Sequence, residues 1–407
     1  MKLTSLNENK TPVRMGVFGL GRGFMLSLPS LLAHPDIELS AAASSREAAR
    51  RDFAEQYGGT SYATYEELLA DTDCEIIYIA TPHERHADDA VAALRAGKHV
   101  LLEKPITITM EDADRIIEAE KDSGKAVIIG PSHSFDPAIQ QASQLISSGL
   151  YGPVRIIHSA YHTDFMYRPR RPKELDPATG GVIFSQGAHQ FDIARLLAGG
   201  DATQILGQVF INDPARKASG AYACQISFSG GGVASLIYSG YDHYLSDLEM
   251  GSISELGKRA KITPGAARKR IRGLSYDQEA LLKQDRGFGS GHPLPSSDSN
   301  EHFGRWVVSL VDADLIIGVE TIDIYDDNGH RRIDVVVTNG SREPICDAVV
   351  SLARHGSRPI QCATWGRATL ECCHALIASS AKGAPVKLQK QVSVFPHPNN
   401  EQDRKLT

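Results

Sequence analysis

Lys104 stands in a setting that a surface lysine rarely has. It follows a short apolar strand and is fixed in direction by the next residue, in the order Glu103-Lys104-Pro105. An earlier apolar strand, residues 76–80, stops on Thr81-Pro82. An amphipathic helix joins the two strands, with Ala87, Ala90, Val91 and Leu94 at helical spacing. Strands joined through one helix run parallel and drop their loops at the same edge of the sheet. Ala80-Thr81-Pro82, with His83 and His86 just beyond, is therefore expected beside Glu103-Lys104-Pro105 at the carboxyl edge, where open α/β sheets bind ligands. A primary amine placed there can take up or hold a proton.

A second chemical feature lies near the start. A strand over residues 13–19 runs into Gly19-Leu20-Gly21-Arg22-Gly23-Phe24 and then a helix. Glycines suit such a turn because the backbone must bend tightly and let a diphosphate approach the helix N-terminus. The match to the dinucleotide fingerprint is imperfect, because Phe24 takes its third position and Gly23 falls one residue early. The next strand, residues 37–43, ends on Ser44-Ser45-Arg46, where NAD-binding folds place an acidic residue on the ribose. Small polar and basic residues there accommodate a 2'-phosphate, so both NAD and NADP are expected as cofactors. The expected cofactor contacts are Gly19, Gly21, Arg22, Gly23, Phe24, Ser44, Ser45, Arg46, Ala80, Thr81, Pro82, His83, His86, Glu103 and Lys104.

The elements that must position these groups follow from the alternation of patterns. Strand and helix alternate over residues 12–130 and predict a six-strand doubly wound sheet, ending near Gly130-Pro131. Residues 131–393 then read as a helix, a strand over 154–161, and extended runs at 204–211, 221–228, 233–240, 307–310, 314–318, 321–326 and 331–337. Turn signals between them predict a large, open, mostly antiparallel sheet with a helix around residues 192–197 on one face. The other face needs cover, which suggests a homodimer or homotetramer built through this sheet. The stretch 256–301 is basic and then rich in Gly, Pro and Ser, and reads as a partly mobile insertion. Its few aromatic residues argue against nucleic acid. The termini, 1–11 and 394–407, read as loose tails.

Composition narrows the classes. With 407 residues, a net charge of -6 and six scattered cysteines without a C-x-x-C pair, the chain suggests two domains, no disulfide framework and no pull towards nucleic acid. No run reaches the ~20 apolar residues that span a bilayer, and the polar N-terminus suggests the cytoplasm. The pairs His83/His86 and His158/His162 lack an accompanying carboxylate or thiol at ligand spacing, so no metal is expected.

Thr81-Pro82 with His86, Gly97-Lys98-His99-Val100 and above all Glu103-Lys104-Pro105 resemble the Gfo/Idh/MocA oxidoreductases. The resemblance implies an N-terminal Rossmann domain, a C-terminal α+β domain and NAD(P)-dependent hydride transfer. It extends to Gly180-Gly181-Val182-Ile183-Phe184-Ser185-Gln186-Gly187-Ala188-His189-Gln190-Phe191-Asp192, where His189 takes the position of the family's catalytic histidine. Removal of hydride from a carbinol also requires loss of the hydroxyl proton, and an imidazole can accept it. Lys104 and His189 are thus the expected catalytic pair, with the division of roles between them open.

One departure bears on the substrate. Where the family commonly has Asp this chain has Ser185, and just upstream stands Tyr167-Arg168-Pro169-Arg170-Arg171-Pro172-Lys173. Removing a carboxylate and adding guanidinium groups favours a carboxylated substrate. The expected substrate contacts are His162, Arg168, Arg170, Arg171, Ser185 and His189, with Tyr161 or Tyr167 beside them. This combination resembles the branch that dehydrogenates carboxylated cis-dihydrodiols. The alternatives are a sugar or polyol dehydrogenase of the same family, or a catalytically silent NAD(P)-binding regulator.

Overall fold

The computed structural model describes residues 11–178, 180–291, 294–337 and 342–394. The tails expected at either end therefore fall mostly outside the described residues. The first domain comprises β1 (Val13–Phe18), α1 (Arg22–Ala33), β2 (Ile37–Ala43), α2 (Glu47–Tyr57), β3 (Thr60–Tyr62), α3 (Tyr65–Ala70), β4 (Ile76–Ile79), α4 (His86–Arg95), β5 (His99–Leu102), α5 (Met110–Ser123) and β6 (Val127–Ile129). The six strands are parallel, in the order β3-β2-β1-β4-β5-β6. All the residues of β4 are buried, as a strand covered on both faces requires. The order reverses between β1 and β4, and the loops leaving these two strands frame the crevice.

The second domain contains α6 (Pro137–Ser147), β7 (Val154–His162), α7 (Ala188–Ala198), β8 (Ala202–Phe210), β9 (Ala221–Phe228), β10 (Val233–Ser239), α8 (Ala266–Ile271), α9 (Tyr276–Gln284), β11 (Trp306–Leu310), β12 (Ala313–Ile317), β13 (Thr321–Asp326), β14 (Gly329–Asp334), α10 (Glu343–His355), α11 (Ala363–Lys382) and β15 (Val386–Lys387). Nine strands form one sheet in the order β14-β13-β12-β11-β7-β10-β9-β8-β15. The sheet is antiparallel except for β7 and β10, which run parallel. Helices α6, α7 and α11 pack against one face. The opposite face has no helix packed on it among the described residues and carries exposed Ile156, Leu206, Phe210 and Ile237.

Two features depart from the sequence reading. Helix α10 returns to the first domain, where Ile345, Cys346, Val349 and Leu352 join Val13, Met15, Phe24 and Leu28 in one buried cluster. The stretch between β10 and β11 is folded into walls rather than loose. Ser275 caps α9 by accepting from the Gln278 amide, while the Gln278 side chain accepts from the Ser275 amide. Glu279 of α9 is buried and receives Arg216 in a paired contact of 2.6 and 3.1 Å. The second domain and the α4/α5 side of the first sheet share a continuous core, from Ile77, Val100 and Ile106 to Phe191 and Trp306. That shared core fixes the two domains against each other across the site.

Candidate active site

A cavity of about 1150 Å³ opens where the carboxyl edge of the first sheet meets α7 and the stretch between β10 and β11. Drug-sized ligands occupy about 300 to 1000 Å³, so this volume has room for a dinucleotide end together with a small substrate. Its wall includes Arg22, Gly23, His83, Glu103, Lys104, Arg168, Arg170, Ser185 and His189 among the residues singled out from sequence. Lys104 and His189, distant in the chain, therefore face one space.

The glycine turn after β1 is built for close approach. Gly19 has φ +100°, and a Cβ on it would stand 2.7 Å from the Ala80 carbonyl oxygen. Only glycine adopts this geometry readily. A Cβ on Gly23 would meet the Glu103 carboxylate at 2.9 Å, so the turn and the strand end carrying Lys104 touch. These close approaches fit a diphosphate at the amino end of α1. Tyr78 donates to Glu103 Oε1 at 2.7 Å, which holds the neighbouring carboxylate in place.

Lys104 Nζ donates to the carbonyl of Ser185 at 2.7 Å. Burial lowers its pKa to about 8, with Glu103 and Glu255 opposing the shift and Arg342 and Arg170 adding to it. The His189 ring lies 4.7 Å from that of His133 and 5.3 Å from Phe303. Burial, followed by Lys104, His133 and Arg342, pushes it well below the ordinary imidazole value, so it is neutral. The His133 amide donates to His189 Nδ1 at 3.4 Å. Ser132 lies on the same side, at 3.5 Å from Nδ1, but its hydroxyl donates to Asp192 Oδ2. Trp365 Nε1 donates to the other oxygen of Asp192. The imidazole is thus held from behind by β6's exit and by α11.

Several residues singled out from sequence lie elsewhere. His86 is fully buried, with Nδ1 2.9 Å from the Pro105 carbonyl oxygen and Nε2 3.1 Å from that of Thr81. It ties the two strand-end loops together instead of contacting a cofactor. Thr81 donates its hydroxyl to Asp89. Phe24 is buried in the core, its ring 5.5 Å from Phe288. The Arg46 guanidinium donates to the carbonyls of Leu20 (2.6 Å) and Phe288 (2.9 Å), and so is engaged within the protein rather than offered to a 2'-phosphate. The Ser44 hydroxyl accepts from the Arg46 amide, and Ser45 is exposed. His162 sits beside Tyr244, and Arg171 is exposed with its amide on Glu174; neither lines the cavity. Tyr161 donates to Asp247 and Tyr167 to Asp213, and they too lie outside the wall.

Other wall residues carry no local sequence signal. Glu255 bonds Arg168 at 2.9 Å and lies 3.8 Å from His133 Nε2. Burial opposes its charge, but Arg168 and His133 hold its carboxyl well below the usual range. Arg342 precedes α10, reaches Ser27 and pairs with Glu301 at 3.2 Å. Lys283 of α9 pairs with Glu174, and burial lowers it to about 8 despite that partner. Only Ser132 and His133 had a readable signal: they leave the sixth strand of the same parallel sheet, and hence the same edge. His133, Asp136 and Glu301 cluster within 4.8 Å. Burial disfavours charge on the His133 ring, but Asp136 at 2.8 Å and Glu255 keep it protonated. Glu301 is in turn matched by Arg342. The trio is an ion-pair network.

Residues 13–131 match the family described as "Oxidoreductase family, NAD-binding Rossmann fold", and residues 139–251 match the "GFO/IDH/MocA C-terminal domain". The chain belongs to the Gfo/Idh/MocA oxidoreductase family. It is 38% identical over 375 residues to the 1-carboxy-3-chloro-3,4-dihydroxycyclohexa-1,5-diene dehydrogenase of Comamonas testosteroni, covering 90% of this chain and 94% of that one. Among solved structures, a putative dehydrogenase from Bordetella bronchiseptica superposes with a TM-score of 0.88 at 34% identity, over 93% of this chain and 100% of that chain. An Agrobacterium radiobacter oxidoreductase solved with NAD+ shares the fold, with a TM-score of 0.70 at 13% identity over 93% and 98% of the chains. The protein is an oxidoreductase with an NAD-binding Rossmann domain. No described helix is long and apolar enough to cross a membrane.

Proposed function

We propose that this enzyme oxidises a ring carbinol of a carboxylated cis-dihydrodiol, using NAD(P), to a ketone that rearomatises to a catechol. The observation that carries the reading is the wall beside Lys104, where Ser185 stands in place of a carboxylate and Arg168, Arg170 and Lys283 face the same cavity. Burial pushes Arg170 down to about 10, against the opposing effect of Glu174 and with Arg168 adding to the shift. A guanidinium destabilised in this way is stabilised by an added anion. The name of the Comamonas relative, a carboxylated dihydroxy-cyclohexadiene, supports the same substrate class.

Gly19, Gly21, Arg22 and the amino end of α1 would hold the dinucleotide, which when bound supplies the hydride acceptor. Lys104, neutral in a substantial fraction near its lowered pKa, accepts the proton of the reacting hydroxyl at Nζ. The His133 amide points at His189 Nδ1 and the Ser132 hydroxyl is directed to Asp192, so His189 carries its proton on Nε2. That N–H donates to the substrate oxygen as negative charge builds on it. Arg170 orients the ring carboxylate, with Arg168 beside it held by Glu255 and Asp164, and aromatisation makes the sequence effectively irreversible. The sheet face with Ile156, Leu206, Phe210 and Ile237 is assigned to a second copy of the chain.

The test is cofactor reduction with a panel of carboxylated cis-dihydrodiols, neutral cis-dihydrodiols and polyols. Turnover is expected with the first group and at least about ten-fold weaker kcat/KM with the neutral diols, the loss expected for one charge-assisted contact. A polyol that reduces the cofactor while the carboxylated diols do not would replace this reading with that of a polyol dehydrogenase.

A further inference from the structure

The matched C-terminal domain ends at residue 251, yet the stretch that follows it reaches back to the cofactor domain. Residues 284–290 leave the end of α9 and lie along the turn between β1 and α1. Phe288 is 3% exposed and packs against Phe24 of α1 and Tyr57 of α2, at 5.5 and 5.9 Å between rings. Arg46 bonds the carbonyls of Leu20 and Phe288 with one nitrogen, joining glycine turn and insertion directly. Gly289 has φ +76°, and a Cβ on it would stand 3.1 Å from Ala49 Cα, so the segment lies flush on α2. The buried ring fixes the segment against two helices of the first domain.

The residue two places before the anchor is Arg286, which lines the cavity, as does Arg22 at the first position of α1. Neither guanidinium has a hydrogen-bonded or ion-paired side-chain partner among the described residues. Burial lowers both pKa values. Arg286 is the first charge to add to the shift of Arg22, and Arg270 and Arg168 add to that of Arg286. Asp164 opposes the shift of Arg286 without forming an ion pair with it. Partly buried cations lacking a paired carboxylate, beside the amino end of a helix, define a place where an anion is favoured.

We propose that Arg286, carried on a strap anchored by Phe288 and Arg46, is a cofactor-binding residue that contacts the dinucleotide's diphosphate together with Arg22. The insertion then completes the cofactor site as well as forming the substrate wall. This assignment rests on the NAD-binding domain and is independent of which alcohol is oxidised.

The test uses the full chain and calorimetric titration with NADH, ADP-ribose and adenosine. Arg286→Gln is expected to weaken NADH and ADP-ribose alike, by about ten-fold or more as for a charge-assisted contact, and to leave adenosine within about two-fold. Arg286→Lys should recover part of the loss. Phe288→Ala should weaken NADH while leaving the charge in place, and NADH should protect residues 284–291 of the wild type from proteolysis. Unchanged NADH affinity in Arg286→Gln overturns the proposal. So does a loss confined to KM for the carboxylated diol, which would make Arg286 a substrate residue. An equal loss of adenosine would mark general damage to the fold and overturn it as well.

Discussion

The assignment of Lys104 as the base makes a quantitative demand on the pH profile. A lysine titrating at about 8 is roughly one-quarter neutral at pH 7.5, against roughly one part in a thousand at an unperturbed 10.5. Burial therefore raises the reactive fraction about two hundred-fold near neutral pH. The base must be neutral to accept a proton, so kcat/KM should climb about ten-fold per pH unit below the pKa and level off above about 8. His189 is already neutral over this range, so it adds no limb above pH 6.5. In Lys104→Ala, kcat should fall by at least ~10²-fold and the limb should vanish, while NADH titration shows that the cofactor still binds. Initial rates between pH 6 and 9.5, on wild type and variant, decide the matter. A limb that persists in the variant, or turnover that is unchanged, would remove Lys104 from proton transfer.

Four further outcomes follow from the same geometry. Ser185→Asp places a carboxylate close to Lys104, which favours the charged amine; the limb should move to higher pH and KM for a carboxylated diol should rise, both read from pH-dependent kinetics. Arg171→Ala, outside the cavity, should leave that KM within about two-fold, whereas Arg170→Gln should raise it about ten-fold, the cost of one charge-assisted contact. Glu279→Gln leaves Arg216 buried without its partner and should cost about 3 kcal/mol, measured by chemical denaturation. With Arg46 engaged by two backbone carbonyls and Ser45 exposed, kcat/KM should favour NAD over NADP, and a preference for NADP would show that Arg46 leaves those carbonyls to hold a 2'-phosphate.

What could be read from the chain was whatever local order dictates. The strand-helix-strand unit places Thr81 and Glu103 at one edge whatever else the protein does, and the glycines before His189 mark a bend into a helix. The arginine run needed the fold: Arg168, Pro169 and Arg170 line the cavity, whereas Arg171 opens the next turn with its amide on Glu174 and faces solvent. His162, at the end of β7 beside Tyr244, lies outside the wall. His86 has the spacing of a loop ligand, but it is the first residue of α4, where its ring is drawn under the turn to bridge two carbonyls. Glu255, Lys283, Arg286 and Arg342 could not be read, because each arrives from a segment whose path is set by packing over long sequence distances. Arg342 in particular stands just before α10, which packs on the first sheet and not on the second.

The tuning of Lys104 belongs to neither domain alone. Its strand, its direction and the nearby Glu103 come from the first sheet, and His86 holds the turn that follows it to the Thr81 loop. The carbonyl that receives its amine comes from Ser185, and Glu255 and Arg170 come from the second domain. Desolvation is the largest cause of its shift, and much of the wall around the amine, including Ser185, His189 and Glu255, comes from the second domain. The continuous core from Ile106 to Phe191 is therefore a catalytic element in an indirect sense: it holds the second domain's wall against the amine. A free N-terminal domain would keep the glycine turn and the amino end of α1, but it would lack the Ser185 carbonyl and the second-domain wall that face Lys104. The glycine turn is in this way a property of one domain, while proton transfer is a property of the pair.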